Sequence, residues 1–384
     1  MGNLSLPAVI AVCGDQGSAN AVAPVIEALQ KEGRVVVQAL AYRQARTLWS
    51  KRNLVYEVIP EDLTRAAAVE RLRQPVAALL LSGTSISASI KMVESEQQFI
   101  AAAGDIGLPS LAILDFWTNY ARRFSDAAGR LVYVPDRIAI MDERARAEMI
   151  IAGLDPARLV ITGQPALDEL TQWKSRFNPA QRQITRDALG VAADEKLILF
   201  ASQPLAALDG KDTSNPHYFG YTEQTVLRAL TMVLDQLAEE RYLKIVLVVR
   251  PHPRESVEFL ESIHCRNIRY VVTTTGEVRD LVMAADLVTG MNSTLLLEAC
   301  YLGCITVSIQ PGLRLPDPLP TNLWGISRAV YNEWEIKPVV EQMLLDEQAR
   351  ASAQARLLDL RSDDKATRRV TGLVYQMLKL DSGN

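Results

Sequence analysis

Three polar residues, Asn292, Ser293 and Thr294, open an otherwise apolar segment, and one carboxylate, Glu298, interrupts that segment. Asn or Ser is a common helix N-cap, but a capping box requires Glu three residues after the cap, which Glu298 is not. The positive start of a helix suits a phosphate, and a carboxylate one turn further along suits sugar hydroxyls. Together with Gly290, which ends the preceding strand, this stretch predicts a site for a nucleoside diphosphate and its ribose; a structural role is the alternative.

A second candidate is the stiff basic loop from Arg250 to Arg254, in which Pro251 and Pro253 alternate with His252. Each proline fixes its own φ angle and restricts the residue before it, so the loop has few conformations. Guanidinium groups and an imidazole held in this way can clamp phosphate oxygens. We therefore expect Arg250 and His252 to bind phosphate; a proline-rich turn with solvated charges is the alternative.

Two glycines, Gly14 and Gly17, follow the first strand-like run and precede Ser18. Glycine lets a backbone come close to a ligand, so these three residues are predicted to line a binding cleft. The stretch is not the GxGxxG pattern with an acidic residue at the end of the next strand, so the NAD-binding fingerprint is missing. A tight turn between strand and helix is the alternative.

Asp115 comes directly after the apolar run "LAIL", and aromatic and amide side chains follow it closely. A carboxylate at a strand end can take a proton from a hydroxyl group, and exposed aromatic faces stack on sugars. We expect Asp115 to be a catalytic base; the acceptor site around it is predicted to include Ser82, Thr84, Trp117, Asn119 and Tyr120. A helix cap with core aromatics is the alternative.

Three other acidic residues lie in the same half of the chain. Glu94 and Glu96 are also candidates for this site, but we interpret them as the solvated start of the helix that begins at Glu94. Asp168 lies just after a strand-to-helix corner formed by Gly163 and Pro165, which we interpret as a hinge.

Predicted strands and helices alternate along the chain, and they position these candidate site residues. Runs such as "AVIAVC" and "KIVLVV" are continuously apolar, as in parallel strands covered on both faces. Repeated βα units predict doubly wound parallel sheets, in which ligands bind beyond the carboxyl ends of the strands. The pattern lapses once, so the predicted fold class is α/β, with two Rossmann-like domains facing across a cleft.

The predicted boundaries follow from that lapse. Residues 1–166 form the N-terminal domain, 167–190 a linker and 191–362 the C-terminal domain; residues 363–384 form a helix expected to pack back on the N-terminal domain.

Net charge, cysteine spacing and hydropathy argue against a general nucleic-acid binder, a metal site and a membrane-spanning protein. The 384 residues carry a net charge of −4, without the basic excess that a general nucleic-acid binder needs. The four cysteines have no partners at metal-ligand spacing, so we expect reduced thiols, no metal site and a cytoplasmic protein. No membrane-spanning run is visible, so peripheral membrane contact is the membrane association that stays open. A homodimer also stays open.

The chain resembles a known superfamily in its architecture over nearly its whole length, and in its motifs over a few segments. "ITGQPALDEL" and "AADLVTGMNSTLLLEACYLGCITVSIQPG" are similar to segments of the non-hydrolysing UDP-N-acetylglucosamine 2-epimerases, which share the GT-B fold with nucleotide-sugar glycosyltransferases. The resemblance implies that Ser293 and Thr294 hold the diphosphate and that Glu298 holds the ribose. "RPHP" resembles the His-Pro motif of bacterial polysialyltransferases and CDP-glycerol polymerases, which implies that His252 contacts nucleotide phosphate.

The chain departs from the epimerases in both halves. Their "HVEAGLR" and "PEE.NR" motifs are replaced by "LAILDFWTNYARRF" and "LVYVPDRIAIMDERA", and "LFASQPLA" lacks their histidine. We therefore expect an inverting, metal-independent glycosyltransferase with a nucleotide-sugar donor, an unknown acceptor and no cofactor. An epimerase or hydrolase of the same fold and a non-catalytic nucleotide-sugar-binding protein are the alternatives.

Overall fold

The chain forms two compact α/β units in this computed structural model, which describes residues 6–73, 77–86, 93–360 and 362–380. The first unit consists of Met1–Glu169 and Ser362–Asn384, and the second of Leu170–Arg361. Over the described residues, each unit has one sheet, and its strands pair in parallel. The predicted fold class, two Rossmann-like units with parallel sheets, is confirmed.

The first unit has a seven-stranded sheet in the order β3-β2-β1-β4-β5-β6-β7. Its strands are β1 (Ala8–Cys13), β2 (Val36–Ala41), β3 (Glu57–Val58), β4 (Ala77–Ser82), β5 (Ser110–Ile113), β6 (Arg137–Ile140) and β7 (Leu159–Ile161). Its helices are α1 (Gln16–Glu32), α2 (Arg43–Lys51), α3 (Arg65–Arg73), α4 (Ser95–Ile106), α5 (Tyr120–Phe124) and α6 (Glu143–Ile151), and a 3₁₀ turn covers Pro156–Arg158. The next helix, α7 (Pro165–Arg176), contains the boundary between the units.

The second unit has a six-stranded sheet in the order β10-β9-β8-β11-β12-β13. Its strands are β8 (Lys196–Ala201), β9 (Ile245–Arg250), β10 (Arg269–Val272), β11 (Leu287–Gly290), β12 (Thr306–Ile309) and β13 (Arg328–Val330). Its helices are α8 (Pro179–Ala188), α9 (Leu205–Leu208), α10 (Glu223–Arg241), α11 (Glu258–Glu261), α12 (Val278–Ala284), α13 (Thr294–Leu302), α14 (Pro320–Leu323), α15 (Ile336–Leu345) and α16 (Glu347–Leu357), with a 3₁₀ turn at Glu333–Glu335. Residues 167–190, predicted as a linker, hold most of α7 and all of α8.

The last helix, α17 (Ala366–Met377), packs on the core of the first unit. Val370 and Val374 are fully buried there, in the same apolar cluster as β1 and α1. Asp168 holds the start of α17, because its carboxylate accepts hydrogen bonds from the backbone N–H groups of Ala366 at 3.2 Å and Thr367 at 2.7 Å. The final helix thus completes a core that begins at the other end of the sequence.

Each sheet has one place where neighbouring strands lead to helices on opposite faces. In the first unit this point lies between β1 and β4, and in the second between β8 and β11. Loops diverge at such a point and leave a crevice at the carboxyl ends of the strands. No helix in the described ranges is long and apolar enough to cross a membrane.

Candidate functional site

In the second unit, the predicted phosphate residues lie at the carboxyl end of β11. Ser293 is the N-cap of α13, and its hydroxyl accepts a hydrogen bond from the Leu295 N–H at 3.2 Å. Thr294 is exposed, Asn292 is half-buried and Gly290 is buried in the strand. Within the described part of the chain, the backbone N–H groups of Ser293 and Thr294 donate to no protein acceptor. Capping therefore uses the Ser293 side chain and leaves two donors at the positive end of the helix.

The rest of α13 explains the apolar sequence around Glu298. Leu296, Ala299 and Cys300 are fully buried, as in a helix packed between a sheet and its neighbours. Glu298 itself is half-buried, one turn beyond Thr294. The Glu298 carboxylate therefore lies on a side of α13 that is only partly covered by the core.

The end of β8 contacts the start of α13 through Gln203, which sequence reasoning did not select. The Gln203 side-chain oxygen Oε1 accepts a hydrogen bond from the Asn292 backbone N–H at 3.2 Å. Because β8 and β11 flank the divergence point, Gln203 lies in the crevice region of this sheet. Its signal in the sequence was a polar side chain two residues after an apolar strand.

The basic loop after β9 is organised by Glu255, another residue that sequence reasoning missed. Its carboxylate accepts hydrogen bonds from the Ser202 hydroxyl at 2.6 Å and the His252 backbone N–H at 3.0 Å. The loop is therefore fixed to the end of β8. His252 Nδ1 accepts from the Arg254 N–H at 3.2 Å, so the neutral ring carries its proton on Nε2. Burial lowers the pKa of His252, and Arg254 lowers it further.

Arg250 makes different contacts from those the sequence suggested. Its guanidinium donates to the backbone oxygens of Thr273 at 3.4 Å, Thr275, and Gly276 at 3.3 Å. These bonds hold the loop after β10, so Arg250 positions backbone in addition to supplying positive charge near His252.

In the first unit, Gly14 and Gly17 make room for protein side chains. A Cβ atom at Gly14 would collide with the Tyr42 ring, and one at Gly17 would collide with the Asp115 carboxylate. Ser18 is fully buried, and its hydroxyl accepts from the Thr84 N–H at 2.9 Å. The loops after β1 and β4 are therefore joined tightly at the divergence point.

Asp115 lies at the carboxyl end of β5 in a buried polar cluster. It pairs with Arg123, accepts from the Thr84 hydroxyl at 2.9 Å, and its backbone oxygen accepts from Gln164 Nε2 at 2.8 Å. Burial raises the pKa of Asp115, while the Arg123 guanidinium opposes that rise and Asp15 adds to it. The carboxyl group therefore holds its proton more readily than a solvated aspartate does.

The prediction that Glu94 and Glu96 form a solvated helix start is wrong. Their exposed fractions are 2% and 1%. Glu96 accepts from the Gly14 N–H at 3.1 Å and the Ser85 hydroxyl at 3.0 Å, so it joins the loops after β1 and β4. Burial raises the pKa of Glu96 to about 8, and the nearby charge of Asp15 contributes. Glu94 accepts from the Tyr42 hydroxyl at 2.7 Å and pairs with Arg43.

The aromatic residues after Asp115 were expected to be exposed and are largely buried. Trp117 is 5% exposed and donates its indole N–H to Asp142 at 2.9 Å, and Tyr120 is 8% exposed. Asn119 is exposed, with a φ of 58° at the start of α5. Ser82 is buried, and its hydroxyl has no partner in the described ranges. The surface around Asp115 is therefore less aromatic than the sequence suggested, because the rings complete the core.

The described residues contain no group of three or more His, Cys, Asp or Glu side chains arranged to hold a metal ion.

Solved structures share this architecture. A UDP-N-acetylglucosamine 2-epimerase from Neisseria meningitidis, bound to UDP-N-acetylglucosamine, matches with a TM-score of 0.65 and 14% identity, over 97% of this chain and 100% of that one. A glycosyltransferase from Rickettsia africae matches at 0.62 and 9%, over 97% and 99%. Anabaena HepE, in complex with UDP and glucose, matches at 0.59 and 13%, over 97% and 99%. This chain has their fold.

These similarities extend over nearly the whole of each chain, so both units match and not one alone. The predicted structural likeness to UDP-N-acetylglucosamine 2-epimerases and glycosyltransferases is confirmed at the level of the fold. No protein-family model and no curated protein matches the sequence.

Proposed function

We propose that this protein is an enzyme that transfers a sugar from a nucleotide-activated donor to an acceptor. The observation that carries the proposal is the start of α13, at a divergence point of the sheet. Two backbone N–H groups there have no acceptor among the residues that the structure describes. The N-terminus of a helix at such a point favours a phosphate group. Enzymes of the same fold include proteins bound to UDP-N-acetylglucosamine and to UDP, which supports a nucleotide sugar as the ligand.

In this proposal the second unit binds the donor. Ser293 and Thr294 donate their backbone N–H groups to the diphosphate, and Glu298 accepts hydrogen bonds from the ribose hydroxyls. His252, neutral and protonated on Nε2, donates to a phosphate oxygen, and Arg250 contributes positive charge. These donors stabilise the negative charge that develops on the leaving diphosphate.

In the first unit, Asp115 acts as the general base. It takes the proton of an acceptor hydroxyl, whose oxygen attacks the anomeric carbon as the bond from that carbon to the diphosphate oxygen breaks. Direct displacement inverts the anomeric configuration and requires no metal ion. Arg123 holds Asp115 in place and favours its ionised form, and Thr84 orients one of its oxygens.

The experiment that tests this proposal is a thermal-shift panel of UDP, CDP, GDP and dTDP with the purified protein. A ligand that binds only the folded state raises the melting temperature by mass action. We expect one nucleotide to raise the melting temperature by several degrees at millimolar concentration. If none of the four nucleotides shifts the melting temperature, the proposed donor site and the proposed enzymatic function are both contradicted.

An epimerase or hydrolase is the second candidate, favoured by the match at a TM-score of 0.65 to a UDP-N-acetylglucosamine 2-epimerase. It would use the same nucleotide site without an acceptor. Incubation of the protein with the nucleotide sugar alone, followed by product analysis, separates the two candidates. A product formed without any acceptor supports the epimerase or hydrolase, and binding without turnover supports a non-catalytic protein.

A further inference from the structure

A chain of hydrogen bonds, buried in its middle part, leads to the start of α13 and begins at Asp317, in the loop after β12. Oxygen Oδ2 of Asp317 accepts from Gln310 Nε2 at 3.0 Å, Asn322 Nδ2 at 2.8 Å and the Tyr331 hydroxyl at 2.7 Å. Oxygen Oδ1 accepts from the Leu319 N–H at 2.8 Å. With four donors directed at it, Asp317 acts only as an acceptor.

This acceptor fixes the orientation of the Gln310 amide, which is fully buried. Gln310 Nε2 donates both to Asp317 and to the Ser308 hydroxyl at 3.0 Å; that hydroxyl gives its own proton to the Met291 backbone oxygen at 2.6 Å. Gln310 Oε1 therefore faces Tyr221 and accepts its hydroxyl proton at 2.7 Å. The Tyr221 hydroxyl has one proton, so it can meet Asn292 only as an acceptor.

The Asn292 side chain is thereby oriented as well. Its Nδ2 donates to the Tyr221 hydroxyl at 3.4 Å, so its oxygen Oδ1 is turned away from Tyr221. Burial raises the pKa of Tyr221, which keeps this hydroxyl protonated and the direction of the chain fixed. Within the described ranges, Asn292 Oδ1 accepts from no protein donor and is not among the buried unpaired atoms.

The Gln203 side-chain amide is also oriented by a hydrogen bond. The Asn292 backbone N–H can only donate, so the Gln203 atom 3.2 Å from it must be the oxygen. The donor end, Nε2, is then left without a protein acceptor among the described residues. Since Gln203 Oε1 accepts from the backbone of Asn292, the Gln203 side-chain amide lies next to residue 292.

We propose that Asn292 Oδ1 and Gln203 Nε2 form an acceptor–donor pair that binds a hydroxyl group on the sugar of the nucleotide-sugar donor. This inference rests on the proposed function and deepens it. An ionised phosphate oxygen has no proton to give to Asn292 Oδ1. A sugar hydroxyl can donate to Asn292 and accept from Gln203 at once, whereas the phosphates take the backbone N–H groups. Tyr221, Gln310 and Asp317 are positioning residues for this pair.

The test compares affinities for nucleoside diphosphates with affinities for their glucose esters. UDP, CDP, GDP and dTDP, each beside its glucose ester, are titrated calorimetrically into wild-type protein, Tyr221→Phe and Tyr331→Phe. In Tyr221→Phe the Asn292 amide loses its fixed orientation. For the nucleotide that binds, we expect Tyr221→Phe to lower the affinity for the glucose ester roughly three- to tenfold more than the affinity for the free diphosphate. This is the scale of one hydrogen bond.

Tyr331→Phe is the matched control, since it also removes a tyrosine hydroxyl that donates to the network but does not touch Asn292. It should leave the ratio of the two affinities unchanged. If Tyr221→Phe weakens both ligands equally, or if Tyr331→Phe shifts the ratio as much, the inference is overturned. If no wild-type pair binds, the proposed function fails first and the inference fails with it.

A second variant covers the case in which Tyr221→Phe does not fold. Asn292→Ala removes Oδ1 at a half-buried position and keeps the backbone N–H that Gln203 accepts from. It should lose affinity for the glucose ester and retain affinity for the diphosphate. If Asn292→Ala binds both ligands as tightly as the wild-type protein does, the inference is overturned.

Discussion

At the scale of single residues, the buried carboxyl group of Glu96 gives the first unit a dependence on pH. Its pKa in the folded protein is about 8, and it titrates near 4.5 in the unfolded chain. Between these values the folded state binds one more proton than the unfolded state does. The free energy of unfolding therefore falls as pH rises from about 4.5 to about 8, by at most about 1.4 kcal/mol per pH unit, and is independent of this group outside that window.

Glu96→Gln should flatten this slope, because glutamine carries no titrating proton. The measurement is urea unfolding at several pH values between 5 and 8, for wild type and variant. Asp105→Asn is the matched control, since it removes an exposed carboxylate from the same helix, α4. A wild-type slope that survives unchanged in Glu96→Gln would rule out this group as its source.

Glu298 offers a second prediction at this scale. If its carboxylate accepts hydrogen bonds from ribose, Glu298→Gln should weaken nucleoside diphosphate binding roughly ten- to a hundredfold, as expected for hydrogen bonds to a charged group. The loss should be smaller for the 2′-deoxy nucleotide, which lacks one of the hydroxyls. Calorimetric titration of both nucleotides checks this. Glu347→Gln, an exposed change in the first turn of α16, is the control.

At the scale of elements, the start of α13 is held by the Ser293 side chain. Ser293→Ala removes the acceptor for the Leu295 N–H, and loss of an N-cap costs about 1 kcal/mol of stability. The backbone N–H groups of residues 293 and 294 remain, so nucleotide affinity should fall by less than it does in Glu298→Gln. Thermal unfolding and calorimetry together check this. A nucleotide affinity lost completely in Ser293→Ala would show that the hydroxyl itself binds phosphate.

The strands and the polar strand ends were predictable from the sequence because continuous apolar runs and abrupt polar residues are local signals. The start of α13 and the loop around His252 were found in this way. Gln203, Glu255 and Tyr221 were not found, and Glu96 was misjudged as solvated, because their importance comes from contacts with residues far along the chain. Trp117 was misjudged for the same reason: the sequence shows an aromatic residue after a strand but not the core that covers it.

At the scale of the whole molecule, the first unit is discontinuous in sequence. Its core includes Val370 and Val374 of α17, which follow the entire second unit along the chain. A protein that ends at residue 361 should therefore have an unstable first unit and an intact second one. Limited proteolysis should cleave the first unit selectively and leave a resistant fragment near residues 170–361. A protein ending at Leu380 is the control, and equal resistance of both proteins would contradict the prediction.

The late arrival of α17 also matters during synthesis on the ribosome. When residue 169 has emerged, the surface that α17 will cover is still bare, and the 192 residues of 170–361 must be made first. At typical elongation speeds this takes roughly 10–40 s. Throughout that interval the nascent first unit exposes the apolar face that α17 later covers. We therefore expect newly made chains to depend on chaperones more than finished ones do.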